Sequence, residues 1–317
     1  MTKLSVNFLQ SPAWAKFQRA SHHEVIEKSN KNWSYLAIVE KGQFSNRLYC
    51  PYGPTAVSRE NFIAALNDLK MEAKKRKLDF VRIEPILTDE KTDNLSENYL
   101  RELKLKKSAR FVQPPETIIN NVSVSEDEIR AQLSQSARRY AKKCDKAGIS
   151  YSVSYNPQDV KYFIEMIHEV SSRTGMRAHD DLYFREIAET LFPSREAGLL
   201  FAELDNEKIA SVVFYNDGKT MSYAHAANKT AFRKFSPATG LGLFALLFAH
   251  EQGCKWFDWF GVAPENSTDK RYENWRGFTQ FKRSFGGERI SRIGTWELPL
   301  KQINYAIYRL MLRILHR

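Results

Sequence analysis

Lys282 lies in the run GFTQFKRSFGG, where Phe278, Phe281 and Phe285 recur at spacings of three and four and so share one face of a helix that Gly286 and Gly287 end. A lysine at the edge of an aromatic stripe ordinarily carries its charge out to solvent along its alkyl stem. Where it borders a cleft, the same ammonium stabilises the oxyanion that develops in acyl transfer. Asp258, near the end of the apolar run KWFDWFG, is a candidate proton acceptor for such a reaction or a buried structural carboxylate. Arg138, Arg139, Lys142, Lys143 and Lys146 fall on one helix, and the i, i+4 pairs Arg138/Lys142 and Arg139/Lys143 repel one another. That repulsion is tolerable on a solvated face and becomes favourable beside the phosphates of an RNA or of a diphosphate-linked substrate.

Gly240 and Gly242, in SPATGLGLFALLFAH, sit where a strand hands over to a helix. Glycine there permits close backbone approach and the helix N-terminus attracts an anion, which would suit the pyrophosphate of CoA; the same glycines also serve plain packing. Acetyl-CoA binders carry Gln or Arg three residues before the first glycine, a place held here by Pro237. At the C-terminus, Ile307, Leu310, Met311 and Ile314 share a helix face, with Arg309, Arg313 and Arg317 among the polar positions. Packing against the body of the protein is the simpler expectation, and contact with a membrane surface is the other.

These groups need a scaffold, and 317 residues with 43% hydrophobic and 13% aromatic content supply one large domain or two ordinary ones. No apolar run reaches the roughly 20 residues that span a bilayer, and MTKLSVNFLQSPAW lacks a signal-peptide pattern, so a cytoplasmic location is expected. Cys50, Cys144 and Cys254 are odd in number and widely spaced, which suggests neither disulfides nor a zinc site. A net charge of +11 favours anionic partners such as RNA, nucleotide-linked substrates or the inner face of a membrane.

Along the chain, residues 13–19 read as a helix, 33–40 and 47–54 as strands, 59–77 as a long helix with Phe62, Ala65, Leu66, Leu69 and Ala73 inward, and 79–85 as a strand. Residues 87–99 read as a polar turn and 111–122 as an extended crossover, which places a boundary near residue 120. Helices follow at 125–147, 157–172 and 181–192, then strands at 198–204, 208–216 and 219–227, a helix at 238–252 and a buried strand at 255–261. Each half thus runs from helices through antiparallel strands and a helix to a final strand. In the second half that order matches an acetyltransferase-like α/β (α+β) fold, whose ligands enter where neighbouring strands splay apart.

Taken in order, QSPAWAKFQ, the YGP of Tyr52 to Pro54, RIEP, the basic helix ending in AGISY, TGMRAHDDLYF, FDWFG and QFKRSFGG resemble the Fem transferases, the FemA, FemB and FemX family, over nearly the whole chain. The resemblance implies two tandem GNAT-like domains, 1–120 with 293–317 and 121–292, and no coiled-coil arm, since only a short connection joins Ser172 to Asp181. It implies transfer of an amino acid from aminoacyl-tRNA to the side-chain amine at stem-peptide position three of a lipid-linked or UDP-linked peptidoglycan precursor, by a monomer, with no metal and no cofactor. The FK motif is matched by Phe281 and Lys282, and the lysine's implied task is charge stabilisation. Family residues that hold the precursor map onto Gln18, with Lys16 beside it, onto His179 and Tyr183, and onto Tyr223 and His225. Histidine at 179 stands where the family has arginine, and it offers a partial charge near neutral pH without the guanidinium fork. Glutamine at 18 replaces a lysine and keeps only the hydrogen bond, and histidine at 225 replaces an aromatic. A CoA-dependent N-acetyltransferase and a non-catalytic protein that binds RNA or an anionic surface are the competing readings.

Overall fold

The computed structural model describes residues 7–87, 95–108, 111–265 and 267–314, and the chain divides into two compact units, Met1–Pro115 with Arg292–Arg317, and Glu116–Ser291. The strand Glu116–Asn121 is hydrogen-bonded into the second unit's sheet, so the division falls a few residues before position 120.

The first unit is a mixed sheet in the order Ile86–Leu87, Thr55–Ala56, Trp33–Lys41, Asn46–Cys50, Phe80–Ile83, Trp296–Pro299, Lys106–Lys107, with Glu24–Ser29 paired to Trp33–Lys41. Helix Arg59–Lys75 starts on the Ser58 side chain and buries Phe62, Leu66, Leu69 and Ala73 against Val39, Leu48, Val81 and Trp296. Trp296–Pro299 pairs antiparallel with Phe80–Ile83, which ties the C-terminal segment into this sheet. Part of the stretch read as a polar turn is the helix Glu97–Glu102, begun by the Ser96 hydroxyl; 88–94 lie outside the described residues.

The C-terminal helix Gln302–Ile314 docks by a face other than the expected one. Tyr305 and Tyr308 pack on Phe80, the Tyr305 hydroxyl donates to Glu297 and Arg82 donates to the Tyr308 hydroxyl, whereas Ile307, Leu310 and Ile314 remain exposed. Two phenols that fill apolar space and also complete a buried ion pair outweigh an aliphatic stripe that would bury area alone.

The second unit is a seven-stranded sheet in the order Glu288–Ser291, Glu116–Asn121, Trp256–Gly261, Thr220–Asn228, Glu207–Asn216, Ala197–Leu204, Ser150–Ser154. Every pairing is antiparallel except Thr220–Asn228 with Trp256–Gly261. Helices Glu126–Gln132, Gln135–Lys146 and Pro237–Glu251 share a core with one face, which carries Leu200, Val212, Phe214 and Tyr223. Val160–Thr174 and Asp181–Leu191 pack on the other. The helix expected over 125–147 is broken: Leu133 and Ser134 are extended, Ser134 caps the second segment through Ala137 N, and its own N–H bonds to Ser284 O. Residues 175–180 alone connect Val160–Thr174 to Asp181–Leu191.

Gly240 and Gly242 lie inside helix Pro237–Glu251, not in a loop before it. A Cβ on Gly240 would stand 1.9 Å from the Tyr151 hydroxyl, and one on Gly242 2.5 Å from Phe285 and 3.2 Å from Trp259. They are therefore packing glycines that bring the helix against the core. Gly242→Ala is expected to cost about 1–3 kcal/mol by overpacking, read as a lower midpoint in urea denaturation.

Candidate active site

The parallel pair at the centre of the second sheet is short. Thr220, Met221 and Ser222 pair with Trp256, Phe257 and Asp258, after which the strands separate. The Trp256–Gly261 strand bulges there: Asp258 pairs with Ile119 and Gly261 with Thr117, leaving Trp259 and Phe260 opposite Ile118 alone. Phe260 takes a left-handed φ of 60°, and Asp258 Oδ1 accepts its N–H at 2.8 Å as well as the Thr117 hydroxyl. Asp258 is thus occupied in shaping the strand end, the structural side of the two readings open for it.

That strand end presents the Gly261 carbonyl, and Lys282 Nζ donates to it at 2.8 Å. Lys282 projects from helix Arg276–Arg283, which Phe281 and Phe285 fix to the core: Phe281 meets Trp259 edge-on at 6.0 Å, and Phe285 stacks on Trp259 at 4.4 Å. Phe278 is exposed and instead lies beneath the Lys282 ammonium, 5.1 Å from it. Beyond the helix, Gly286 and Gly287 both have positive φ, with Gln132 O and Ile119 O where a Cβ would go. The Lys282 side chain keeps some solvent exposure, yet burial around its ammonium pushes the pKa down to about 7, with Asp258 pulling the other way. Near neutral pH this is a cation, held at the mouth of the splayed strands, that readily gains or loses its proton.

Tyr223 and His225, two apart on a strand, would share a face in regular pairing. They do not, because Phe214 pairs with Tyr223 and Val213 with His225, so Ala224 is the extra residue of a bulge. Tyr223 is buried against Trp259 at 5.1 Å and near Phe281 at 6.5 Å, and burial raises its phenol pKa. His225 faces the other side, where His179, Tyr183, Phe184 and Tyr215 surround it at ring-centroid distances of 5.2–6.4 Å. His179 stacks on Tyr183 at 3.9 Å while keeping an exposed edge, and Asp180, not His179, caps helix Asp181–Leu191 through Tyr183 N.

The partial charge expected of His179 is reduced by its surroundings. Burial lowers the pKa of His179, against a smaller opposing pull from Asp180, and brings that of His225 down to about 3, with His179 adding to the effect. His225 is neutral near pH 7, and His179 carries less charge there than an unburied imidazole, so both offer hydrogen bonds. Tyr183 and Tyr215 are joined through their hydroxyls at 3.3 Å, and burial raises the pKa of Tyr183 to about 12. Cross-strand register links Tyr215 to Ser222 and Ser222 to Asp258, so all three share the face that carries His225. A polar row thus leads from the His179–Tyr183 pair to Asp258, whose charge reaches Lys282.

His179, Tyr183 and His225 are therefore brought together on one face, Tyr223 and Phe281 on the other, and Lys282 stands where the strands part. Sequence reasoning missed Tyr215, Ser222 and the Gly261 carbonyl; alternation along 207–216 and 220–228 was the available signal for the first two. Arg138, Arg139, Lys142, Lys143 and Lys146 are all exposed on helix Gln135–Lys146, none with an ion-pair partner among the described residues, although Lys143 Nζ donates to Lys234 O at 2.6 Å. In the first unit, Lys16 is exposed and Gln18 buried on helix Pro12–Ala20; two apart, they face different ways and do not converge on one ligand.

A profile of the FemAB family matches residues 2–209 and 201–313. A lipid II:glycine glycyltransferase from Staphylococcus haemolyticus (strain JCSC1435) is 23% identical, over 76% of this chain and 74% of its own length. The crystal structure of FemX superposes with a TM-score of 0.82 at 17% identity, covering 95% of this chain and 94% of that one. A tandem GNAT protein from the clavulanic acid biosynthesis pathway superposes with a TM-score of 0.53 at 11% identity, covering 87% and 83%. The fold is accordingly a pair of tandem GNAT-like domains.

Proposed function

The chain belongs to the FemAB family, and on that premise we propose that it is an aminoacyltransferase of peptidoglycan assembly that takes an amino acid from aminoacyl-tRNA to the side-chain amine of stem-peptide residue three. The observation that carries this reading is the Lys282 ammonium, held by Gly261 O at the mouth of the splayed strands with its pKa brought down to about 7. The acceptor amine, in its neutral form, attacks the ester carbonyl of the donor, and Lys282 stabilises the tetrahedral oxyanion. Collapse breaks the ester bond, and the attacking amine's proton leaves with the ribose oxygen. With Asp258 engaged by Thr117 and Phe260, this substrate-assisted transfer needs no protein base.

The name of the staphylococcal relative, a glycyltransferase acting on lipid II, supports a lipid-linked acceptor. The His179–Tyr183–His225 cluster suits recognition of the precursor by stacking and neutral hydrogen bonds. The basic helix suits the donor's phosphates. Arg139→Ala/Lys142→Ala is expected to raise the KM for charged tRNA several-fold and to flatten its salt dependence, with kcat little changed, because exposed cations contribute uniform binding.

Incubation with a mixture of charged tRNAs and either precursor, followed by mass spectrometry of the stem peptide, tests the reading. An increment of one or more amino-acid residues supports it. An acetyl increment with acetyl-CoA, or none with any donor, rejects it. The acetyl-CoA outcome is disfavoured by Tyr151 and Phe285, which fill the space beside Gly240 and Gly242.

A further inference from the structure

The C-terminal helix carries a second apolar face that the fold leaves open. Ile303, Ile307, Leu310 and Ile314 are 77%, 50%, 55% and 58% exposed, among the most exposed large aliphatic side chains described. At spacings of four, three and four they fall within about 60° of one another around the helix axis. The opposite face is consumed by Tyr305 and Tyr308, so the stripe is not a core face awaiting a small adjustment. Four aliphatic side chains in line on one solvent-facing helix call for an occupant.

Charge identifies the occupant. Glu297 is the last acidic residue of the chain, and Leu298 to Arg317 holds Lys301, Arg309, Arg313 and Arg317 without a single carboxylate. Arg313 is exposed beside Ile314, and Lys106, also exposed, sits over the Tyr305 ring at 5.2 Å. Neither has an ion-pair partner among the described residues. Arg309 lies 3.8 Å from Glu297, and Lys301 is engaged by Asp79. An apolar stripe flanked by the exposed Arg313, on a helix with no acidic side chain, complements an anionic lipid surface, in which aliphatic side chains enter the acyl boundary and guanidinium groups meet the headgroups. A second protein copy fits less well: one narrow stripe falls far short of the roughly 20–30 residues a side of a stable interface, and two such helices would bring like charges together.

We propose that the helix Gln302–Ile314 is an interfacial anchor that lays its Ile303–Ile307–Leu310–Ile314 face into an anionic phospholipid surface. The anchor is independent of the acyl-transfer reading, since lipid binding is measured without turnover. It holds the first unit against a membrane with its apolar stripe inward.

Co-sedimentation of the full chain with vesicles of phosphatidylglycerol and phosphatidylcholine, against phosphatidylcholine alone, tests it. The protein should partition onto the anionic vesicles, weaken with added salt, and bind the neutral ones far less. Ile307→Ser/Leu310→Ser should lower partitioning about tenfold or more with an unchanged circular dichroism spectrum and melting temperature, because both side chains are already exposed. Should that variant melt early, the single change Ile303→Ser, at the most exposed position, serves in its place. Arg139→Ala/Lys142→Ala, on the basic helix of the other unit, should bind like the parent. No binding of the parent to anionic vesicles overturns the proposal, as does undiminished binding of the stripe variants. So does a concentration-dependent dimer, seen by analytical ultracentrifugation without lipid, that the stripe variants abolish.

Discussion

Lys282→Met is expected to lower kcat by roughly 10²–10³-fold, the loss typical of removing one oxyanion-stabilising group, while calorimetric affinity for the precursor stays within about twofold. The asymmetry follows from where the ammonium sits. Its partners are the Gly261 carbonyl and the Phe278 ring, so its charge is free to respond to a carbonyl oxygen that becomes anionic during reaction. The same substitution should stabilise the fold at low pH. Burial depresses the lysine pKa from its ordinary 10.5 to about 7, so between these values the unfolded chain binds more protons than the folded one and stability rises with pH. The cost of the buried cation is therefore present in full below pH 7 and relieved towards pH 10. Thermal melts should show Lys282→Met gaining over the parent at pH 6, with a smaller advantage at pH 9. A variant that is less active and yet more stable at pH 6 is the pattern of a residue kept for chemistry.

The largest stability effect belongs to Arg82. Its guanidinium donates to Glu297 Oε1 through Nε at 3.1 Å and Nη2 at 2.7 Å, and Nη2 also reaches the Tyr308 hydroxyl at 2.6 Å. Glu297 is fully buried and further takes the Tyr305 hydroxyl and Ser108 Oγ. Arg82→Met leaves that buried carboxylate without its hydrogen-bonded cation and with only the more distant Arg309, 3.8 Å away, a change expected to cost about 3–5 kcal/mol. Because both tyrosines of the C-terminal helix are tied to this pair, hydrogen exchange should show Gln302–Ile314 losing protection first. Arg82→Met/Glu297→Leu should recover most of the loss, since a buried pair replaced as a whole by apolar groups is often near neutral. A double variant no more stable than the single one would place the cost in packing and not in the orphaned charge.

Much of this architecture is legible in residue patterns, and the failures share a cause. The strands at 197–204, 207–216 and 220–228 and the helix from Pro237 follow from periodicity and turn residues. The side of the sheet on which His225 lies does not, because one unpaired residue, Ala224, reverses it and no local signal announces a bulge there. The C-terminal helix fails in the same way. Its aliphatic stripe has the right period, but partners distant in sequence, Phe80, Arg82 and Glu297, decide which face docks. Gly240 and Gly242 are indistinguishable in sequence from a phosphate-binding turn until Tyr151 and Phe285 are seen against them. Lys282 was identified by its motif, whereas the Gly261 carbonyl that holds it depends on a bulge shaped by Asp258 and Thr117.

The most direct test of the account is the pH dependence of single-turnover aminoacyl transfer from charged tRNA, compared between the parent and Lys282→Arg. The acceptor amine must be neutral to attack, so the parent rate should rise with pH and then level near pH 7 as Lys282 loses its proton. Arginine does not titrate in this range. If the lysine acts as a cation, Lys282→Arg should be slower but active, and its rate should keep rising through pH 8. An inactive arginine variant with normal folding and precursor binding, or a parent profile with no break near pH 7, would contradict the assignment of Lys282 as the charge that stabilises the transition state.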